Sequence, residues 1–538
     1  MSQTNEIPLK VTKKKKLSRT RWIVLILVQV LILFHIGLWL LSKHYGWFDG
    51  EAITPIEPSE GMELVKNGVI NAGAIFFVLA LLSTWIFGRW FCGWGCHIVF
   101  LQDWCYALLR KIGIRPKPFR ARLLGWVPLG LGLYMFVWPL FYRIVIAPWF
   151  QPNLSWPSIT TRLTTTEYWD SFVSPIMGVP FLFVCGFATV YTLGAKGFCT
   201  YGCPYGGFFA PLDRVSPMHI RVNNNCQQCG ECTAACTSSV RVHEEVHIHK
   251  MVVDSGCMKT MSCIDACPND ALSVGFVGVA VGKKSGASTH KYDMTFWGEV
   301  WIMAIFLIGF FSFRGLYASI PMLMSVGMSL VGTWIIWKGV AILREKNVNW
   351  HRWQLKFHGS LRPAGLIVML ISLSVVLFTI QSAAVGLLAV VGNAAAKRGD
   401  LNTALSYYKL SGPITDGGIG FASNPNVDLS MSKIQEAKGD LQEAERLLRR
   451  LNSFVGNDQT ATMVLGQNLQ LHRDPSLVEQ FYIEHLTSNP DWTLVWEDYI
   501  AWLRREGRSK QAIEASKNAN TMNPNATRLQ LQWQLLHQ

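Results

Sequence analysis

Seven long apolar stretches constrain this chain more than any other feature. They run at about 22–41, 69–87, 123–147, 172–194, 295–313, 320–343 and 364–385. Each can cross a hydrocarbon layer of ~30 Å at ~1.5 Å per residue. A segment in lipid must satisfy its own backbone hydrogen bonds, so each is read as a helix. Composition agrees: the 538 residues are 50% hydrophobic and 16% charged, against about 25% charged in soluble proteins. The first stretch has a basic flank like a signal peptide. Its apolar run is too long for one and no small-residue cleavage site follows, so it is read as an anchor.

The net charge of +14 would suit a nucleic-acid binder in a soluble chain. Here the basic residues flank the apolar stretches, which makes them topology signals, and no nucleic-acid partner is expected. Lys10, Lys13, Lys14, Lys15, Lys16, Arg19 and Arg21 precede the first stretch. Arg89, Arg110, Lys111, Arg115, Lys117, Arg120 and Arg122 follow the second; Arg344, Lys346, Arg352, Lys356 and Arg362 follow the sixth. The first connection has only Lys43 and Lys66, and the third and fifth have only Arg162 and Arg314. The alternation puts the N-terminal tail and the cysteine-bearing loops in the cytoplasm and the C-terminal region, after an odd number of crossings, outside it.

All 13 cysteines lie at or before Cys267. Cys226-x2-Cys229-x2-Cys232-x3-Cys236 has the spacing at which three thiolates hold one corner of an iron–sulfur cubane and the fourth reaches a second cluster. Soft thiolates suit iron in this geometry, whereas zinc seldom uses three cysteines so tightly spaced. The next run is Cys257-x5-Cys263-x3-Cys267-Pro268, with Thr260 at its second ligand position. The exchange rule assigns Cys226, Cys229, Cys232 and Cys267 to a [4Fe-4S] cluster. It assigns Cys236, Cys257 and Cys263 to an atypical second site. That site can be a three-iron cluster, a four-iron cluster completed by water, Thr260 or another side chain, or empty.

Two further pairs, Cys92-x3-Cys96 and Cys199-x3-Cys203, each follow an apolar stretch that ends in a basic residue, Arg89 or Lys196. The i,i+4 spacing predicts both sulfurs on one helix face. Thiol redox chemistry, metal capture, a shared four-thiolate site and interfacial packing all remain open. Cys105 and Cys185 are read as packing residues, and His243, His247 and His249 as a solvated connector. His35, Arg143 and Glu299 are candidates for a quinol or proton site, because ionisable groups are costly in lipid; Arg143 and Glu299 lie near predicted ends, where snorkelling also explains them.

From about Gly392 a repeat recurs at a spacing close to 34: Gly399-Asp400-Leu401 with Ala404, Gly439-Asp440-Leu441 with Ala444, a degenerate copy without the glycine at Arg473 with Val478, and Gly507 with Ala512. Asn489-Pro490 and Asn523-Pro524 keep the same period, which is the tetratricopeptide spacing. The first interval is 40, which predicts an insertion near residues 413–425.

The run Gly88-Arg89-Trp90-Phe91-Cys92-Gly93-Trp94-Gly95-Cys96, then Phe198-Cys199-x3-Cys203-Pro204-Tyr205, then the paired cysteine motifs, resembles the membrane polyferredoxins. That family includes the membrane component of the periplasmic nitrate reductase system, the nitrous-oxide reductase regulator and the cytochrome oxidase copper-site accessory protein. The resemblance covers about residues 1–274. His97 stands where the family has proline, and Thr260 where it has cysteine. The resemblance implies electron transfer at a bacterial inner membrane, cluster-ligand roles for the seven cysteines from Cys226 to Cys267, and a redox role for Cys92, Cys96, Cys199 and Cys203.

The expected fold is therefore a polytopic α-helical membrane protein of about seven spans. It carries an inserted α+β ferredoxin-like domain with two clusters and a C-terminal all-α tetratricopeptide-like solenoid. The expected divisions are a basic tail at 1–21, membrane helices at 22–219, the iron–sulfur domain at 220–275, further membrane helices at 276–391 and extracytoplasmic repeats at 392–538. The expected role is an electron-transfer subunit between a quinol or cytoplasmic donor and a periplasmic redox partner docked on the repeats. The alternatives are a cupric reductase or metal-site assembly factor, and a redox-sensing scaffold.

Overall fold

The computed structural model describes residues 16–151, 154, 156–166, 168–172, 175–238, 240–283, 292–456, 458–523 and 529. Lys10, Lys13, Lys14, Lys15 and Pro524 lie outside the described residues. The chain forms two compact units: residues to Arg314 with Pro321–Leu377, and Gly315–Ile320 with Phe378 onward.

Five described helices are long and apolar enough to cross a membrane: Lys16–Tyr45, Leu124–Phe150, Phe296–Phe313, Met322–Arg344 and Pro363–Lys397. The two remaining expected spans correspond to shorter apolar helices, Ala72–Phe87 and Met177–Leu193. In the first of these the shortening comes from a tertiary contact. Val69 and Ile70, read as the start of a span, instead form a strand paired with Thr160 and Thr161. Asn71 then caps the helix by accepting a hydrogen bond from the Ala74 N–H at 2.8 Å. Leu124–Phe150 is interrupted by π-helical turns at Leu133–Val137 and Tyr142–Ile146, each running up to a helix containing Pro139 or Pro148, residues that cannot donate to the helical ladder.

Ile23, Leu27, Leu33 and Phe34 on the first helix are exposed. An apolar surface of this kind is costly in water and at home in lipid. The chain is a membrane-associated protein on this pattern.

Between the fourth and fifth apolar helices a strand, Met218–Val222, pairs antiparallel with Leu272–Phe276, Ile220 opposite Val274. Three short helices lie between them, Glu231–Ala234, Val242–His249 and Ser262–Asp265. Ile220, Val240, Val242, Val246, Val252 and Leu272 form the core, together with Cys257 and Cys263.

The second unit is a run of helices from Leu401–Ser411 to Ser509–Met522. The recurring Gly-Asp pair is a helix boundary. Gly399 and Gly439 take φ of +81° and +82°, a conformation that costs glycine little, and Asp400 and Asp440 cap the next helix by accepting from Thr403 and Glu443. The small residues four positions on, Ala404 and Ala444, are fully buried, as are Val478 and Ala512. The long first interval is filled by a 3-10 turn at Ile414–Asp416 and a loop to Asn424.

A candidate iron–sulfur centre and a buried four-thiol site

Both cysteine runs build the same local structure. Gln228, at +55°, and Gly230, at +82°, precede the helix Glu231–Ala234; Lys259, at +49°, and Met261, at +60°, precede Ser262–Asp265. The two helices end alike, on Ala235 and Ala266 with φ near −84°. This superposes Cys226 on Cys257, Cys229 on Thr260, Cys232 on Cys263 and Cys236 on Cys267, the alignment read from spacing.

Cys226, Cys229, Cys232 and Cys267 line one recess with Gly230 and His243. Cys236, Cys257 and Cys263 interact with one another, and Cys263 with Cys232 as well. Burial pushes the Cys236 thiol up to about 12, helped by Cys257, and raises Cys257 and Cys263 as well. Left as free thiols these would stay protonated at neutral pH; a metal that binds them must displace those protons. Thr260 is buried. The three histidines of the connector sit on the helix Val242–His249, with His247 exposed and His243 and His249 half-buried. His243 Nδ1 lies 2.8 Å from Thr233 Oγ1, so the ring forms part of the recess wall.

The four remaining motif cysteines converge. Cys199 interacts with Cys96, Cys203 and Cys92, and Cys203 with Cys92. The i,i+4 helix expected for each pair is not what forms. Cys92 and Cys199 sit on one-turn helices, Trp90–Trp94 and Gly197–Tyr201, that end at Gly95 and Gly202. Cys96 and Cys203 then stand in extended conformation, φ/ψ −88°/126° and −82°/112°, heading the next helices His97–Lys111 and Pro204–Val215. The motif is thus basic-x-x-Cys-x-x-Gly-Cys in two structural copies. Burial and the neighbouring thiols push Cys96 up to about 12 and Cys203 to about 11.

Arg89 and Arg21, counted as topology signals, and Lys196, noted before the second cysteine pair, are all buried. The Arg89 guanidinium bonds Cys92 and donates to the Ser255 carbonyl at 2.8 Å. Lys196 and Arg21 both pair with the buried Asp103. Lys259 Nζ lies 3.1 Å from Asp213 Oδ1, and Trp94 Nε1 donates to the Lys259 carbonyl at 2.9 Å. Met258 packs in one cluster with Cys92, Cys96 and Cys199. The segment after Cys257 is therefore pressed onto the four-thiol site. Gly93 makes this approach feasible: a Cβ there would stand 2.1 Å from the Met258 carbonyl oxygen. Asp265 anchors the same domain from another side, accepting from the Leu17 and Ser18 N–H groups at the start of the first helix. A shared four-thiolate site is among the alternatives the spacing leaves open; the burial of Arg89 and Lys196 beside it is not, although both stand three residues before a cysteine.

The other candidates stand apart from the thiols. His35 Nε2 lies 3.0 Å from the Ile53 carbonyl oxygen. Arg143 donates to the Lys66 carbonyl at 2.8 Å, and Glu299 accepts from the Leu123 N–H at 3.1 Å. Cys105 and Cys185 are buried among apolar neighbours. Among the described residues, no three His, Cys, Asp or Glu side chains are placed to hold a single metal ion.

Residues 71–115 and 176–223 match the 4Fe-4S binding domain family. Over part of its length the chain is similar to ferredoxin-type proteins. An uncharacterized protein of Methanocaldococcus jannaschii is 25% identical over 222 residues, 40% of this chain and 83% of the relative. The methylamine utilization ferredoxin-type protein MauN of Methylorubrum extorquens is 22% identical over 219 residues, 37% of this chain and 67% of that one. The ferredoxin-type protein NapH of Haemophilus influenzae is 22% identical over 205 residues, 37% of this chain and 65% of that one. These likenesses support an iron–sulfur electron-transfer role with at least one [4Fe-4S] cluster.

Proposed function

We propose that this chain is a membrane electron-transfer subunit that passes single electrons between a quinol or cytoplasmic donor and a periplasmic redox partner. The observation that carries the reading is the recess that gathers Cys226, Cys229 and Cys232 from one motif and Cys267 from the other. Four thiolates from two motifs are the donor set of a cubane in a two-cluster ferredoxin. The strand pair and short helices around them fit an α+β ferredoxin-like domain. Cys236, Cys257 and Cys263 supply three thiolates for a second cluster, in three-iron or four-iron form, with Thr260 at the vacant ligand position. A cluster supplies a one-electron carrier; the protein sets its potential through burial, charge and hydrogen bonds.

The repeats give the reading its partner. Helical hairpins with buried small residues at a 34-residue period fit a tetratricopeptide-like solenoid, whose concave face binds protein. Tyr408, Lys409, Glu443, Arg446 and Arg450 line a groove in it. The basic flanks support a reading with the clusters on the cytoplasmic face and the repeats on the periplasmic face of a bacterial inner membrane.

Duroquinol added anaerobically to the purified chain tests the donor side. Bleaching of the visible iron–sulfur absorbance is expected, with re-oxidation by ferricyanide. Clusters that dithionite reduces and duroquinol leaves untouched would remove quinol from the account.

A further inference from the structure

The four-thiol site lies outside the recess just described, and its surroundings are unusual for a set of packing cysteines. Four cations line it or brace it, with exposures of 5% for Arg21, 4% for Arg89, 2% for Lys196 and 0% for Lys259. Two buried anions face them, Asp103 at 6% and Asp213 at 1%. With four neutral thiols the shell keeps two uncompensated positive charges in a place shielded from water. Such a charge is costly to bury. Arg89 Nε has no hydrogen-bond partner among the described residues, and Lys259 Nζ has none beside its ion pair with Asp213.

We propose that Cys92, Cys96, Cys199 and Cys203 together ligate an additional [4Fe-4S] cluster, held where the two matched segments meet. Four thiolates around a doubly positive iron–sulfide core carry two negative charges, which balances the surplus of the shell. The sulfurs are also provided with donors. Backbone N–H groups of Ile98 and Val99 face Cys96, those of Tyr205 and Gly206 face Cys203, and the Arg89 guanidinium bonds Cys92. Hydrogen bonds to cluster sulfur of this kind tune a centre's potential, and Cys96 and Cys203 stand at the positive ends of their helices. The thiols are not preset for one ion, as a zinc or copper site would be, whereas a cubane spreads its ligands over separate irons. The match to a 4Fe-4S binding family covers both pairs and ends before Cys226, so it points independently to these thiols.

The position gives the centre a use. Cys257 of the second ferredoxin-type trio connects through Met258 and Lys259 directly to this site. On the other side Tyr205 packs in one cluster with Cys92, Cys96 and Cys199, and its ring meets Phe77 of the apolar helix Ala72–Phe87 edge-on, with centroids 5.8 Å apart. A cluster here is a one-electron relay between the cytoplasmic centres and the interior of the membrane domain: it is reduced by one electron as its neighbour is oxidised by one.

The inference deepens the iron–sulfur reading, and two variants of the full chain separate the two. C96S/C199S, purified anaerobically in detergent, is expected to lose about four irons and about four acid-labile sulfides per chain while keeping the parent's ferredoxin-type paramagnetic signal. The converse chain, with Cys226, Cys229, Cys236 and Cys263 all replaced by serine, is expected to keep about four of each. Iron equal to the parent in C96S/C199S overturns the proposal, as does a folded converse chain free of iron or one holding copper or zinc in its place. Loss of the ferredoxin-type signal from the parent, with iron retained in the converse chain, would instead strike the proposed function alone.

Discussion

Gly93→Ala tests the contact that joins the iron–sulfur domain to the membrane thiols. The added Cβ would stand 2.1 Å from the Met258 carbonyl oxygen and 3.3 Å from the Lys259 carbonyl carbon. Ordinary contact needs about 1 Å more than the first distance, and both obstacles are backbone, so no rotamer change relieves them. Overpacking of this kind costs ~1–3 kcal/mol. The segment 252–261 is then released from the helix Trp90–Trp94 about 5- to 150-fold more often, at about tenfold per 1.4 kcal/mol. Backbone hydrogen exchange of that segment, measured by mass spectrometry on the full chain, should accelerate by the same factor. Exchange elsewhere in the strand pair Met218–Val222 and Leu272–Phe276 should change little. Gly130→Ala is the control, since its Cβ meets nothing within 4 Å and helical alanine is slightly preferred. Unchanged exchange at 252–261 in Gly93→Ala would refute the docked arrangement.

Asp213→Asn leaves Lys259 buried without its counter-charge and should destabilise the chain by ~3–5 kcal/mol, read as a lower thermal midpoint in detergent. Asp213→Asn with Lys259→Met should recover part of that loss; strictly additive effects would deny the pair. Cys229→Ala removes one thiolate of the recess and should abolish or reshape the paramagnetic signal of its cluster; an unaltered signal would move the cluster elsewhere. In the repeats, burial opposes ionisation of Glu445, but hydrogen bonds from Arg449, Arg473 and His472 outweigh it and hold its carboxyl below the usual range. Its folded pKa is depressed, so its contribution is complete above the unfolded value of ~4.3 and fades as pH falls through the folded one. Glu445→Gln should therefore lower the thermal midpoint at pH 7 and flatten its fall in acid; an identical acid profile in both proteins would contradict this.

The parts most legible in the sequence were those with a period or a fixed spacing. Five of the apolar stretches are long helices, and the spacing that pairs Cys267 with Cys226, Cys229 and Cys232, in place of Cys236, matches the lining of one recess. Gly-Asp pairs marked real helix boundaries because the glycine's dihedral and the aspartate's cap are local effects. The burial of Arg89, Lys196 and Arg21 was not legible, since a basic residue at the end of an apolar stretch reads as a cytoplasmic marker whether or not it faces water. Their true setting depends on Asp103 and the thiols, contributed by segments far away in the chain. The i,i+4 reading of each cysteine pair failed for a local reason. Gly95 and Gly202 end a one-turn helix between the two sulfurs, and the second cysteine begins a new one. Val69 and Ile70 failed through a tertiary effect, because pairing with Thr160 and Thr161 outweighs the hydropathy of the stretch.

Low-temperature electron paramagnetic resonance of the anaerobically purified, dithionite-reduced chain, read beside its iron and acid-labile sulfide content, tests the central claim most directly. The account predicts iron and sulfide in equal amounts at about four or more per chain, with a fast-relaxing reduced-cluster signal that ferricyanide abolishes. Stoichiometric zinc, or a chain with neither iron nor sulfide after oxygen-free preparation, would contradict it.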